Sequence, residues 1–304
     1  MIKLTASPRS RKAAKPAARA AKARPAAAET PRTIAVSGSQ SGLGLAIRQR
    51  LQAHGVSVIG IDLPGKGAEV EADLSTPEGR AKAVDGVTER CAGVLQGAVA
   101  NAGIDSSDAA LTFQVNYHGV VDVLEGLRPA LAAAGRASAV VTASHAALIS
   151  PGVRESAAAA LLAGHDRRAA LYAGASAGGP YAVSKLAVAR WIRSHAATSD
   201  WAGQGISLNG VCPGAIRTPL LEKDLADKVK GPIIRAMPKP LGEIAETGDL
   251  AGIFEFLLSP DSRYIVGQLI VCDGGVESMW REQDWPRPWD ISLPRFLFKL
   301  FGPR

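Results

Sequence analysis

Thr33-Ile34-Ala35-Val36-Ser37-Gly38-Ser39-Gln40-Ser41-Gly42-Leu43-Gly44 is the stretch that decides how this chain folds. A short apolar run enters a glycine-rich turn. A helical pattern then opens at Gly42 and continues through Leu45, Ile47 and Leu51 to His54, where Gly55 supplies a stop signal. In that setting glycines let the backbone turn tightly and approach a pyrophosphate, while the unpaired N–H groups of the helix N-terminus face it. The next apolar run ends in an acid: Asp62 stands 18 residues beyond Gly44. A carboxylate there can accept from both ribose hydroxyls of an adenosine and repels a 2′-phosphate. Ser39 and Leu63, the neighbours expected to face that position, are not basic, so NAD is expected rather than NADP.

Outward from this turn, from about residue 33 to about residue 275, short apolar runs alternate with longer helical patterns. The expected strands are Thr33–Ser37, Val56–Ile61, Glu69–Ala72, Leu95–Ala100, Ala139–Ala143, Ile206–Val211 and Gln268–Cys272. That rhythm predicts an α/β fold, a Rossmann-like doubly wound seven-stranded parallel sheet in a single domain spanning 32–276. Two stretches interrupt it. An insertion at 151–178 holds an Ala/Leu-rich run, and a loop at 218–240 holds Pro219, Pro232, Pro238 and Pro240. Its prolines favour a mobile flap over a packed helix pair. Both segments follow strand ends and are expected to shape the substrate pocket.

The chemistry is carried by Tyr181-Ala182-Val183-Ser184-Lys185. A tyrosine and a lysine four residues apart share a helix face, so the ammonium sits beside the phenol and favours its ionised form. A proton acceptor beside a dinucleotide fold points to hydride transfer at an alcohol or carbonyl. Tyr172, nine residues before Tyr181, has no lysine four residues after it, and His145 follows Ser144 as a candidate pocket residue. His118 and His165 have no ligand spacing, and no metal site is expected.

These motifs, in this order, resemble those of the short-chain dehydrogenase/reductase family across about residues 33–275. The glycine turn matches with Ser37 in place of the family's threonine, keeping the hydroxyl. Asp73-Leu74 resembles the pair that contacts adenine, and Asn101-Ala102-Gly103 the element that follows the fourth strand. Pro213, Gly214, Ile216 and Thr218 resemble the segment that binds the nicotinamide carboxamide. The resemblance implies a catalytic set of Asn116, Ser144, Tyr181 and Lys185. Tyr181 would be the acid/base, Lys185 would lower its pKa and bond the nicotinamide ribose, and Ser144 would position the substrate oxygen. Asn116 would hold a water linked to Lys185, or else only fix a helix backbone. It also implies cofactor contacts at Ser37, Gly38, Ser41, Gly42, Leu43, Gly44, Asp62, Asp73, Leu74, Asn101, Ala102 and Gly103.

Within the family, Ala72-Asp73-Leu74-Ser75-Thr76-Pro77-Glu78-Gly79-Arg80 and the 37-residue separation of Ser144 from Tyr181 are similar to the bacterial 3α-hydroxysteroid dehydrogenase/carbonyl reductase group. That likeness implies a bulky apolar secondary alcohol or ketone, a hydroxysteroid first, and a homodimer or homotetramer in which the insertion contributes to the interface. An aromatic, coniferyl-type alcohol is the alternative substrate. A low-turnover NAD-binding scaffold acting through its tails is the alternative from another class.

Composition sets the outer limits. The net charge of +7 resides in residues 1–30, where eight Lys and Arg face Glu29 alone, so the remainder is formally neutral and no specific nucleic-acid surface is expected. Rich in Ala, Pro, Lys and Arg, the segment 1–31 is expected to be a disordered tail. No apolar run reaches the ~18 residues of a transmembrane segment. Cys91, Cys212 and Cys272 lie in apolar stretches without ligand spacing, as buried free thiols of a reducing, cytoplasmic compartment would. The extension 277–304 carries Trp280, Trp285, Trp289, Phe296, Phe298 and Phe301. Packing on its own domain or a partner subunit is expected ahead of a short amphipathic anchor at Arg295–Phe301.

Overall fold

Ile34 and Val36 of the first strand enter one buried apolar cluster and Ala35 enters another, so both faces of the strand are apolar and both are covered. The computed structural model describes residues 32–174, 179–285 and 290–301. The basic segment 1–31, residues 175–178 of the insertion and Trp289 lie outside the described residues. The strands are β1 (Thr33–Ser37), β2 (Ser57–Asp62), β3 (Val70–Glu71), β4 (Gly97–Ala100), β5 (Ala137–Thr142), β6 (Ile206–Pro213) and β7 (Leu269–Cys272). All pair in parallel in the order β3-β2-β1-β4-β5-β6-β7, the expected Rossmann-like doubly wound sheet. Strand ends shift by a residue or two for local reasons. The N–H of Val56 bonds the carbonyl of Leu51, so Val56 closes the preceding helix instead of opening β2.

Helices cover both faces. α1 (Gly42–Ala53) lies on one side; α2 (Pro77–Arg90), α3 (Ala109–Phe113) and α4 (Gly119–Ala133) follow, with the π-helical stretch Gln114–His118 joining α3 to α4. Beyond β5 come α5 (Ala146–Ile149), α6 (Glu155–Leu162), α7 (Asp166–Gly174) and α8 (Gly179–His195). After β6 come α9 (Pro219–Ala226), α10 (Lys230–Ala236) and α11 (Thr247–Leu258), then α12 (Val276–Arg281) and α13 (Leu293–Phe301) past β7. Leu43, Ile47 and Leu51 of α1 pack with Phe254, Leu257 and Leu258 of α11 over one sheet face, while α2, α4 and α8 cover the other.

Three expectations are corrected here. The 218–240 segment is not a featureless flap but the helix pair α9 and α10, because its prolines punctuate the helices without interrupting them. Thr218 caps α9 by accepting from the N–H of Leu221 (3.2 Å), and Pro219 occupies the first turn, where its missing N–H costs nothing. Pro232 sits in the first turn of α10, and Pro238 and Pro240 lie beyond its end.

The insertion was expected to wall the pocket. Its helices α6 and α7 instead pack beside α8, burying Ala157, Ala158, Leu161, Ala169 and Ala173; small side chains allow this close approach. Of its described residues only Pro151 reaches the cavity, together with the flanking Ser150, Gly179 and Pro180. Thirdly, the aromatic extension does not bury itself on the domain: Trp280, Trp285 and all the large apolar residues of α13 are exposed. Of the cysteines, Cys212 is buried, whereas Cys91 and Cys272 are half-buried; all three are free.

Candidate active site

β1 and β4 are sheet neighbours separated in sequence by two strands, so the loops after them diverge and leave a crevice at their carboxyl ends. Ser37 closes its floor. Its hydroxyl accepts from the N–H of Asn101 (3.0 Å) and of Ala102 (3.1 Å), while Asn101 Nδ2 donates to the Ser37 carbonyl (3.2 Å). The hydroxyl of Thr142 donates to Asn101 Oδ1 (3.0 Å), extending the clamp to β5. Gly38 takes φ +66°, and a Cβ at Gly44 would stand 2.0 Å from the Gly38 carbonyl oxygen, so the turn can lie on α1 only with glycine at both positions.

The N-terminus of α1 receives no cap from the Ser41 side chain, leaving the first amides of the helix to other acceptors. Asp62 is held beside this turn, its Oδ2 accepting from the N–H of Gln40 (2.9 Å) and its Oδ1 from the N–H of Leu63 (2.8 Å). Each oxygen keeps a lone pair for a further donor. Free backbone donors at a helix N-terminus, a turn held tight by glycines and a carboxylate bonded beside it fit a dinucleotide. Ser39 corrects one detail: it is fully buried beneath Gly60, near Arg48 and Glu69, and does not face the ribose position.

A cavity of about 670 Å³ extends from the glycine turn to α9 and α10, a size suited to a small-molecule site. Its wall includes Gly38, Ser41, Gly42, Leu43, Asn101, Ala102, Gly103, Ser144, Tyr181, Lys185, Pro213, Gly214, Ile216 and Thr218. Ser37, Gly44 and Asn116 stand behind it. Asp62, Asp73 and Leu74 are also outside this wall. Asp73 Oδ1 accepts from the N–H of Ser75 and Leu74 is buried, its carbonyl bonded by Arg80.

Tyr181 and Lys185 share one face of α8, with Lys185 Nζ 5.8 Å from the phenol ring centroid. Ser144 stands on the same cavity wall as Tyr181 and acts to lower the pKa of its phenol, and Lys185 donates to the Thr142 carbonyl (2.7 Å). Burial pushes the Tyr181 phenol up to about 12 against the opposing effect of Ser144, with the carboxylates of Asp105 and Asp224 adding to the rise. Burial likewise brings Lys185 down to about 8. Burial and these carboxylates outweigh any lowering of Tyr181 by Lys185 alone.

Asn116 sits in the π-helical stretch, where the wider turn presents its amide to the loop after β4. Its Oδ1 accepts from the N–H of Ile104 (2.8 Å), and its Nδ2 donates to the Ile104 carbonyl (2.9 Å) and the Ser184 hydroxyl (3.1 Å). These bonds tie the loop after β4 to α8. Lys185 Nζ and Asn116 Oδ1 both lie against Gly103. His145 does line the cavity. Its Nδ1 meets Asp273 (3.3 Å), and burial lowers its pKa despite that carboxylate.

Sequence reasoning missed a charged cluster on the cavity wall. Lys230 of α10 lies 2.6 Å from Asp105, in the loop after β4, and 3.5 Å from Asp224 of α9. No motif could reveal it, because its members come from segments more than a hundred residues apart. Apolar residues of the same two helices, Leu221, Ile233 and Ile234, and Met237 just beyond them share this wall. Among the described residues no cluster of His, Cys, Asp and Glu suited to a metal ion occurs. Nor is any described helix long and apolar enough to cross a membrane.

Comparison with known proteins extends this geometry. A family model described as enoyl-(acyl carrier protein) reductase matches residues 166–277. The 3-alpha-hydroxysteroid dehydrogenase/carbonyl reductase of Comamonas testosteroni is 37% identical over 254 residues, 82% of this chain and 97% of that protein. An uncharacterized short-chain type dehydrogenase/reductase of Sinorhizobium fredii is 31% identical over 80% of this chain and 43% of its own length. The crystal structure of the 3-alpha-hydroxysteroid dehydrogenase from Pseudomonas sp. B-0831, complexed with NADH, superposes with a TM-score of 0.77 at 40% identity, covering 83% of this chain and 99% of that one. Identity at this level over nearly the whole length of two relatives goes beyond a shared sheet topology, and the chain belongs to the short-chain dehydrogenase/reductase family of oxidoreductases.

Proposed function

We propose that this chain is an NAD-dependent oxidoreductase for bulky apolar secondary alcohols and ketones, with a hydroxysteroid as the leading substrate class and Tyr181 as the acid/base. The observation that carries the reading is that Ser144, Tyr181 and Lys185 line one cavity, with Lys185 on the same helix face as Tyr181, and that α9 and α10 add apolar side chains to its wall. The turn Gly38 to Gly44 and the carboxylate of Asp62 would hold the dinucleotide, and Asp62 favours the form without a 2′-phosphate. When bound, that group supplies the hydride donor or acceptor and, oxidised, a positive charge on its ring.

In the oxidation direction Tyr181, as phenolate, accepts the substrate hydroxyl proton, and Ser144 donates to the oxygen as charge develops there. Lys185 keeps an ammonium near the phenol up to about its own pKa of 8, held in place by the Thr142 carbonyl. Asn116 positions α8 through Ser184 and the loop after β4 through Ile104. The apolar side chains of α9 and α10 exclude water from the reacting oxygen and match an apolar ring system. We assign catalysis to the segment 32–276, in a cytoplasmic homodimer or homotetramer.

Initial rates of NAD⁺ reduction across hydroxysteroids, aromatic alcohols and small secondary alcohols test the proposal, with NADP⁺ and Tyr181→Phe in parallel. Steroid turnover with NAD⁺ that falls by about 10²-fold or more in Tyr181→Phe, with dinucleotide affinity unchanged, is the expected result. Turnover that survives the substitution refutes the role of Tyr181, and activity confined to aromatic alcohols refutes the substrate class.

A further inference from the structure

α13 places Leu293, Phe296, Leu297, Leu300 and Phe301 at i, i+3, i+4, i+7 and i+8. This is the stripe by which a helix of a globular protein joins a core. Here the stripe joins none: these residues are 68%, 43%, 42%, 52% and 79% exposed, and every described residue of the helix is exposed. Arg295 and Lys299, four residues apart, form a narrow cationic edge away from the stripe, with Phe298 between that edge and the apolar side. No acid follows Asp290. At nine residues the helix is about 14 Å long, far short of the ~30 Å hydrocarbon of a bilayer, so it can lie on a membrane but not cross it.

We infer that α13 is a docking element for an anionic lipid surface. Its apolar stripe enters the boundary between headgroups and acyl chains, and Arg295 and Lys299 remain at headgroup level against lipid phosphates. Charge decides between this occupant and a second copy of the chain. The helix offers only positive charge, and the chain beyond residue 30 is formally neutral, so another copy brings no excess of acid to meet it. Anionic lipid supplies both missing complements, a negative plane and an apolar interior. The eight basic residues of the first 30 add attraction to the same surface. A short apolar helix binds weakly alone, and reversible membrane attachment usually combines an apolar signal with a basic one.

The test uses the full-length protein in flotation with vesicles of phosphatidylcholine alone and with roughly a third phosphatidylglycerol. Binding to the anionic vesicles only, reduced by salt, is expected. Leu297→Glu combined with Leu300→Glu should abolish it. Arg295→Gln combined with Lys299→Gln should weaken it by about twenty-five-fold, at about five-fold per charge. Both variants should keep the wild-type thermal midpoint, a readout independent of the proposed substrate. Three results overturn the inference: no binding to either vesicle; binding indifferent to the glutamates, which assigns it to the basic N-terminal segment; or a change of oligomer mass in the glutamate variant, which assigns the face to a second copy.

Discussion

Replacing Gly44 by alanine should damage stability and dinucleotide binding together, and the structure sets the scale. The added Cβ falls 2.0 Å from the Gly38 carbonyl oxygen and 2.6 Å from Asn101 Nδ2, where an unstrained contact needs about 3.5 Å. The first obstacle is backbone, so no side chain can swing aside. α1 must retreat from the turn by more than an ångström, at an overpacking cost of about 1–3 kcal/mol. For a domain of this size that lowers Tm by roughly 2–12 °C. The retreat also separates Gly38 from Asn101 and turns the free amides of α1 away from the crevice, so Kd for NAD⁺ should rise at least about ten-fold.

Gly55→Ala, at the opposite end of the same helix, is the control. Gly55 has φ +76° but nothing within 4 Å of a Cβ, so alanine there brings about 1–2 kcal/mol of backbone strain and no collision. Its Tm should fall while its Kd stays at the wild-type value. Differential scanning fluorimetry and fluorescence titration with NADH read both quantities. A Gly44→Ala protein with unchanged Kd, or a Gly55→Ala protein that loses binding equally, would refute the argument.

Lys185→Met should remove turnover yet alter the pH dependence of stability in a defined direction. Between about 8 and the ordinary lysine value of 10.5, the unfolded chain holds a proton that folded Lys185 has released, so this residue makes stability rise with pH over that window. Above 10 the sign reverses through Tyr181, whose folded phenol keeps its proton up to about 12. Urea midpoints from pH 7.5 to 10 should lose their Lys185 rise in the variant; an unchanged profile contradicts the burial argument. Asp62→Ala should weaken NAD⁺ binding by roughly ten-fold or more and narrow its advantage over NADP⁺, measured by titration with both. Lys230→Met leaves Asp105 and Asp224 unpaired on the cavity wall and loosens α10 from the loop after β4. Because Lys230 is partly exposed, a discounted loss of about 1 kcal/mol is expected, visible as a roughly five-fold rise in KM for the alcohol.

The alternation of apolar runs with helical patterns, and the order of Gly38, Asp62, Asn101, Ser144, Tyr181 and Lys185, were legible in the sequence because they depend on local physics. A strand buried on both faces must be continuously apolar, a turn against a helix must be glycine, and residues four apart on a helix must share a face. The same locality misled at residues 218–240, where counting prolines without their helical positions suggested a flap. Pro219 and Pro232 are compatible with helix because each stands in a first turn.

What the tertiary structure alone decided is everything that joins distant segments. Ser37 meets Asn101 and Ala102 across the switch point, Asn116 is spent on Ile104 and Ser184, and Asp105 finds Lys230. Burial then sets the charge state of the pair that the sequence placed together, raising Tyr181 and lowering Lys185. Sequence spacing puts a phenol beside an ammonium, but only the surrounding protein determines how much water and how many carboxylates each one sees, and those govern where the proton sits.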